Sequence, residues 1–173
     1  SMLLAIALVA EGAVQSFSAY VTVTTLEEAK QVVPMGPAAS QIAIKQLGTN
    51  GGGFFGVNSA HPFENPTALT SFLELVAILL IPAALTYTYG TITGSLKHGW
   101  CLFTAMAVLF LSGLAIALWA DHQPNNALAL VSNMEGKELR FGVTGSVLWS
   151  VATTAASNGS VNAMHASMAP LAG

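Results

Sequence analysis

The pattern of apolar residues along this chain predicts two helices long enough to cross a lipid bilayer. Residues 68–89 contain a single charged residue, Glu74, and residues 99–120 contain none. A membrane-spanning helix needs about 20 predominantly apolar residues, which both segments supply. Because only residues 90–98 connect them, we expect the two segments to form an antiparallel hairpin of spanning helices.

Three further stretches are apolar or helix-like but too short or too interrupted to span. They are residues 2–20, which Glu11 interrupts, residues 37–47 and residues 141–157. Segments of this length in a membrane protein are often re-entrant, entering and leaving the membrane on one side. The chain is apolar from its second residue, so we expect its start to be the end of a longer helix. Polar loops are predicted at residues 22–36 and 121–140.

The composition favours a membrane environment and excludes several classes of protein. Hydrophobic residues make up 53% of the 173 residues and charged residues only 8%, against roughly 25% charged residues in an ordinary soluble domain. So few charges exclude a water-exposed globule and a disordered chain. With five Lys and Arg and a net charge of −3, no basic surface for nucleic acid is expected. Cys101 is the one cysteine, so the sequence has no disulfide framework.

The short segments 37–47 and 141–154 lead into similar sequences, more than a hundred residues apart. Each leads to a hydroxyl residue, an asparagine and a glycine, and later to a further asparagine, a histidine and a proline. The first set is Thr49, Asn50, Gly51, Asn58, His61 and Pro62, and the second is Ser157, Asn158, Gly159, Asn162, His165 and Pro170. This similarity predicts an internal repeat of helix, re-entrant loop and helix.

These glycine-containing loops have the chemistry of a cation-selective site. Irregular backbone is tolerated at membrane depth only where it is buried in protein or lines a watery cavity. Glycine adopts backbone angles that other residues avoid, so successive carbonyl groups can point at one axis. A ring of carbonyl oxygens replaces the hydration shell of a cation, most often potassium. Hydroxyl oxygens of Thr49 and Ser157 and the negative C-terminal ends of the short helices would strengthen the attraction.

Two other interpretations of the glycines fit their surroundings poorly. A flexible linker would have polar flanks, whereas the three glycines at 51–53 have apolar neighbours. Gly51, Gly53 and Gly56 match the spacing of a dinucleotide-binding fingerprint, but that motif follows a strand and opens a helix. Here a predicted helix precedes the glycines and two prolines follow them. The sequence also has no P-loop motif, so no nucleotide is expected on this chain.

Three ionisable residues near the first loop have more than one interpretation. His61 and Glu64 together suggest a metal site, but two nearby prolines and the lack of a third ligand favour a role in ordering the loop. Glu74 lies within a predicted span, where a charged residue is a functional candidate by default. It is also close enough to Pro66 to be a solvated residue at the membrane interface, and the sequence leaves both possibilities open.

Several long runs of this sequence closely resemble one family, the potassium-binding A chains of the Kdp potassium-importing ATPases. The most specific runs are KQLGTNGGGFF at residues 45–55, NSAHPFENPT at residues 58–67 and NMEGKELRFG at residues 133–142. Shorter runs, at residues 34–41 and 153–157, fit as well. The resemblance extends along essentially the whole chain.

The resemblance implies an all-α integral membrane fold of helix–re-entrant pore loop–helix repeats, as in the potassium-channel-like superfamily. The family has four successive repeats, of which this chain would hold a part. Residues 1–90 would be the second repeat, with its first helix truncated, and residues 91–173 the third repeat, with its second helix missing. The channel signature TVGYG is absent, which is expected for this divergent family.

The resemblance also implies the binding residues. The selectivity-filter residues would be Thr49, Asn50, Gly51 and Gly52 in the second repeat and Ser157, Asn158 and Gly159 in the third. Their backbone carbonyls would bind external potassium ions, and no catalytic residue is implied. In this family ATP hydrolysis belongs to a P-type ATPase subunit, whose DKTG motif this sequence lacks.

The implied partners are that catalytic subunit, small accessory subunits of the Kdp complex and the lipid bilayer. The implied location is the bacterial inner membrane, which the chain would cross several times. Two alternatives stay open. One is a stand-alone pore-loop cation channel or transporter, and the other is a structural membrane module with a degenerate filter.

The resemblance places the filter loops outside the cell and residues 90–98 in the cytoplasm. The positive-inside rule expects Lys and Arg on the cytoplasmic side. Only Lys97 lies in this turn, whereas Lys30, Lys45, Lys137 and Arg140 fall on the opposite side. Because these counts are small, and because we expect Lys45 to lie within a pore helix, we follow the resemblance in predicting the orientation.

Overall fold

The computed structural model describes residues 1–124 and 133–173. These residues form five α-helices, one two-stranded antiparallel sheet and two short 3-10 turns. The helices are α1 (Met2–Ala10), α2 (Ala38–Leu47), α3 (Ala68–Ile92), α4 (Leu96–Asp121) and α5 (Gly142–Ala155). The strands are β1 (Val21–Thr24) and β2 (Lys30–Val33), and the 3-10 turns are Asn58–Ala60 and His165–Ser167.

Helices α3 and α4 are the two helices of the described residues that are long and apolar enough to cross a membrane. With 25 and 26 residues, each is about 38 Å long, which exceeds the roughly 30 Å hydrocarbon core of a bilayer. Only 22% and 6% of their most apolar stretches are buried, whereas the core helix of a soluble protein is mostly buried. The predicted pair of apolar helices is confirmed. Both are longer than predicted, so only residues 93–95 connect them.

The two long helices approach each other closely at two glycines. A Cβ atom on Gly99 would lie 2.6 Å from the carbonyl oxygen of Thr86, and one on Gly90 would lie 3.2 Å from the Cα of Gly99. Small residues allow helix backbones to come this close within a membrane. The hairpin is therefore packed tightly next to its turn.

The shorter helices α2 and α5 pack on different neighbours. Helix α2 and helix α1 share an apolar cluster that comprises Leu8, Ala13, Ala38, Ala39, Ile42, Ala43 and Phe55. Helix α5 and helix α4 share a second cluster that comprises Ala117, Val147, Ala163 and Met168. Each short helix is thus held by its own apolar core, and its C-terminal end leads into one of the glycine-containing loops.

A β-hairpin occupies most of the segment that was predicted to be a polar loop at residues 22–36. Val21 pairs with Val33, and Thr24 pairs with Lys30. β-Branched residues favour extended backbone, but the turn lacks the Asn-Gly or Asp-Gly pair that marks a tight hairpin in a sequence. Glu28 instead takes the positive φ of 61° in this turn. The all-α prediction was wrong for this hairpin, and the chain is mostly helical.

The second predicted loop, residues 121–140, also differs from the prediction. Asp121 is the last residue of α4 and is only 1% exposed. Its carboxylate accepts hydrogen bonds from the Asn133 side chain, at 2.8 Å, and from the backbone N–H of Ala169, at 2.7 Å. A buried Asp needs such partners, and the sequence does not reveal them. The predicted loop residues Asn125 and Asn126 lie outside the described residues.

Candidate ion-binding site

The two glycine-containing loops leave their helices along similar backbone paths. Thr49 follows α2 by two residues and Ser157 follows α5 by two residues. Both take the left-handed conformation, with φ of 50° and 53°, which is uncommon for residues other than glycine. The next amide in each loop bonds back to its helix, from Asn50 to the Lys45 carbonyl at 3.2 Å in the first loop. The second loop has the matching bond, from Asn158 to the Thr153 carbonyl at 2.8 Å.

Positive φ angles recur at the glycines of both loops. The values are 64° at Gly51, 81° at Gly52 and 91° at Gly159. Side chains rarely tolerate this region of backbone space, so glycine is the residue that fits. Around Gly52 and Gly159 an added Cβ would find no atom within 4 Å. These two glycines are therefore required by conformation alone.

The fold brings the two loops into direct contact. A Cβ on Gly51 would lie 2.0 Å from the carbonyl oxygen of Asn158 and 2.8 Å from the amide nitrogen of Ser160. Glycine is thus required at position 51 for two reasons, because its φ is positive and because the second loop leaves no room for a Cβ. The side-chain amide of Asn158 donates to the Lys45 carbonyl at 3.1 Å, and the Ser160 hydroxyl donates to the Gln46 side-chain oxygen at 2.9 Å. These contacts join the two sets of predicted filter residues.

The predicted filter residues differ in exposure. Asn50, Gly52, Ser157 and Gly159 are exposed, Thr49 and Gly51 are partly buried, and Asn158 is buried. The Asn158 side chain faces the protein, where its oxygen accepts from the Ser160 amide at 2.9 Å. Asn158 therefore fixes its loop with its side chain, which leaves the backbone as the means by which it could bind an ion.

A buried ion pair supports the first loop. The Lys45 ammonium group lies 2.8 Å from the Glu64 carboxylate, and the two residues are only 2% and 0% exposed. The other carboxylate oxygen of Glu64 accepts from the backbone amides of Phe54 and Phe55. Of the two possibilities for Glu64, the structure thus favours loop ordering. The described residues contain no group of three His, Cys, Asp or Glu side chains that could hold a metal ion.

Glu74 is fully buried behind the same loop, so its interpretation as a solvated interfacial residue was wrong. One of its oxygens accepts from the Gln46 side-chain amide at 2.7 Å and from the Ser59 hydroxyl at 2.9 Å. Sequence reasoning missed Gln46 and Ser59. In the sequence, each of these two residues is only a polar residue beside apolar ones. Their contacts with Glu74 join residues far apart in the chain, so no local pattern indicates them.

His61 packs on the residues that follow the first loop. Its ring stacks on Phe55 with the centroids 4.0 Å apart, and its Nδ1 accepts a hydrogen bond from the Phe63 amide at 3.1 Å. Burial lowers the pKa of the His61 imidazole, and the nearby Glu64 carboxylate opposes this effect. A neutral ring suits this place, because an accepting Nδ1 carries no proton.

Arg140 joins the segment before α5 to the segment that follows the first loop. Its guanidinium group donates to the carbonyl of Ala60 at 2.7 Å and to that of Asn65. Sequence reasoning used Arg140 as a charge on one side of the membrane and as part of the run at residues 133–142, and it predicted no contact for it. In the fold it connects two parts of the chain that lie far apart in sequence.

The second loop rests mainly on neutral side chains. The Trp149 indole donates to the Ser160 carbonyl at 2.9 Å, and the Thr153 hydroxyl accepts from the Gly159 amide at 2.9 Å. An ion pair lies farther along, where Lys137 is 3.2 Å from Asp121. Lys137 also donates to the Ser167 carbonyl at 2.6 Å, so it anchors the segment beyond the loop.

The whole chain, residues 1–173, matches the family model described as KdpA, potassium-transporting ATPase A subunit. Similar proteins named potassium-transporting ATPase potassium-binding subunit occur in Pseudomonas syringae pv. tomato (59% identical, over 100% of this chain and 32% of the relative), Pseudomonas aeruginosa (56%, over 99% and 31%) and Rhodospirillum centenum (58%, over 98% and 30%).

The chain therefore spans about a third of the length of the curated relatives that it matches. The family match nevertheless covers every residue of the chain, including both loops and both long helices. The chain belongs to the KdpA family of potassium-transporting ATPase A subunits.

Proposed function

We propose that this chain is part of the potassium-binding subunit of an ATP-driven potassium importer. Potassium is the ion that the relatives are named for. The observation that carries the proposal is the contact between the two loops, where Gly51 lies directly against the Asn158 carbonyl. Two glycine-containing loops with left-handed backbone meet there at the ends of short helices, and backbone carbonyls of such loops can replace the hydration shell of a cation.

In this proposal the backbone carbonyls of seven residues contribute to the selectivity filter. They are Thr49, Asn50, Gly51, Gly52, Ser157, Asn158 and Gly159. The negative ends of the α2 and α5 dipoles would add a favourable field for a cation. Side chains would fix the loops, and carbonyl oxygens would replace the water around the ion.

We further propose that residues 1–90 and 91–173 are two consecutive pore-loop repeats of a longer subunit. The similar backbone of the two loops, with Thr49 and Ser157 in equivalent left-handed positions, supports this division. Loops from the rest of the subunit would complete the coordination of the ion. The loops would be re-entrant, opening on the outside of the bacterial inner membrane, and the subunit would cross that membrane several times.

We assign ATP hydrolysis to a partner, a P-type ATPase catalytic subunit, with small accessory subunits completing the complex. The names of the relatives support this assignment, since they describe one subunit of an ATPase and specify potassium binding as its role. This chain would bind external potassium and deliver it to the pumping subunit.

The test uses the full-length subunit, co-expressed with its complex in cells that lack other potassium uptake. Gly51→Asp adds a side chain where the Asn158 carbonyl leaves no room and puts a carboxylate in the ion path. Gly56→Asp is the matched control, because a Cβ at Gly56 meets no atom within 4 Å and its φ is not positive. We expect the first variant to lose uptake at low external potassium and the control to keep it.

Normal uptake and selectivity in Gly51→Asp, at normal membrane levels, would refute the filter assignment. A second arm replaces the phosphorylated aspartate of the ATPase partner. Uptake should then stop. Uptake that continued without a working ATPase would instead indicate a stand-alone channel.

A further inference from the structure

A chain of three fully buried polar side chains connects helix α3 to the second loop. It runs from Glu74 on α3 through Gln46 on α2 to Ser160 beside Gly159, and each of the three is 0% exposed. Gln46 donates to Glu74 at 2.7 Å and accepts from Ser160 at 2.9 Å. The contacts thus reach from one proposed repeat into the other.

The two different ends of the Gln46 side-chain amide give this series of hydrogen bonds a direction. Gln46 has a donating NH₂ end and an accepting oxygen end. The Glu74 oxygen that faces it also accepts from the Ser59 hydroxyl at 2.9 Å, so this oxygen acts as an acceptor. Only the NH₂ end of Gln46 suits it. The oxygen end is thereby left to face Ser160, whose hydroxyl donates to it.

Ser160 is well placed to transmit this constraint to the ion site. Its amide donates to the Asn158 side chain at 2.9 Å, and its carbonyl accepts from Trp149 at 2.9 Å. Its amide nitrogen is also one of the atoms that a Cβ on Gly51 would meet, at 2.8 Å. A shift of Ser160 would therefore move the Asn158 and Gly159 backbone relative to the first loop.

We propose that Glu74 is a positioning residue for ion selectivity. By orienting the Gln46 amide, it fixes Ser160 and thereby the spacing between the two loops. This inference rests on the proposed function, because it concerns the selectivity of the same site. Glu74 itself does not touch the ion.

The first test compares variants of Glu74 in the complete complex, reconstituted in vesicles. Glu74→Leu removes the acceptor, whereas Glu74→Gln keeps a side-chain oxygen that can accept from Gln46 and Ser59. The readouts are KM for potassium, maximal rate per assembled complex and the preference for potassium over sodium. We expect Glu74→Leu to lose about tenfold in preference, as the loss of the hydrogen bond that orients Gln46 implies, and Glu74→Gln to restore most of it.

A merely structural role would change abundance or melting temperature and leave the preference unaltered. Thr86→Ala is the control for a change in buried polarity on α3, since among the described residues the Thr86 hydroxyl bonds only within its own helix, to the Ala83 carbonyl. We expect this control to keep the wild-type preference.

The second test is a double-mutant cycle with Ser160→Ala, which removes the hydroxyl that faces both the Gln46 side-chain oxygen, at 2.9 Å, and the Asn158 side-chain oxygen, at 2.5 Å. If Glu74 acts through Gln46 and Ser160, the double variant Glu74→Leu/Ser160→Ala should lose less preference for potassium than the sum of the losses in the two single variants. Independent, additive losses would overturn the proposal. A wild-type preference for potassium in Ser160→Ala would also overturn the proposal, and this result can be obtained even if Glu74→Leu fails to assemble. A wild-type complex without potassium uptake would instead refute the proposed function.

Discussion

The two loops have similar backbones but rest on different chemistry. Behind the first loop lies a buried ion pair, in which Glu64 bonds both to Lys45 and to two loop amides. Behind the second loop the direct contacts come from the neutral side chains of Trp149 and Thr153. The shared feature of the loops is thus the backbone conformation, and different side chains can hold it in place.

This difference implies that the two loops respond differently to mutation. A buried charge is costly unless its partner is present, so removing one member of a pair costs much more than the pair contributes. A neutral hydrogen bond contributes about 1 kcal/mol. We therefore expect the first loop to collapse when its support is incomplete and the second loop to weaken gradually.

The largest expected effect is that of Glu64→Ala. The change leaves Lys45 buried without its carboxylate, for which we expect a loss of roughly 3–5 kcal/mol in the free energy of unfolding. Glu138→Ala is the control, because its pair with Arg140 is partly exposed and should contribute less than about 1 kcal/mol. Denaturant or thermal unfolding of the complete complex in detergent measures both. Equal losses would show that the ion pair gives the first loop no special sensitivity.

A smaller loss is expected from Thr153→Val, which keeps the shape of the side chain. The Gly159 amide then lacks its acceptor, so we expect a loss of about 1–2 kcal/mol in the same unfolding measurement. Thr104→Val is a suitable reference, since the exposed Thr104 hydroxyl bonds only within its own helix in the part of the chain that the structure describes. A loss in Thr153→Val as large as that in Glu64→Ala would remove the contrast between the loops.

The smallest expected effect is a change of stability with pH, which we expect from His61 beside the first loop. Because burial lowers the pKa of His61, the unfolded chain binds a proton more readily than the folded chain as the pH falls through about 6.5. Stability should therefore decline in this range, whereas above it the ring is neutral in both states. Melting temperatures at about pH 7.5 and pH 5.5 should differ more in the wild type than in His61→Phe. Equal differences would exclude His61 as the source.

Much of the local structure could be predicted because it depends on neighbouring residues. Uninterrupted apolar length predicted α3 and α4. The glycines predicted irregular backbone, and Gly51 and Gly159 do take positive φ. The β-hairpin could not be predicted, because its turn at Glu28 carries no hairpin signal.

The positions of charged residues in the sequence were a poor guide to the orientation in the membrane, because the effect of a charge depends on its contacts in the fold. Lys45 and Lys137 were both counted as positive charges on the side opposite to the one the rule expects, although Lys45 was expected to lie within a pore helix. In the structure both are buried and paired, with Glu64 and Asp121. The positive-inside rule concerns charges in flanking loops. Two of the four residues that opposed the predicted orientation therefore carry no information about it.

By itself, the sequence determined the apolar helices and the glycines at which the loops turn, since apolar length and backbone freedom are local properties. The tertiary structure alone decided the burial and the hydrogen bonds of Glu74, whose partners Gln46 and Ser59 lie 28 and 15 residues away. It also decided that Gly51 meets Asn158. Burial and hydrogen bonding arise only when distant segments pack together, so no local pattern of residues encodes them.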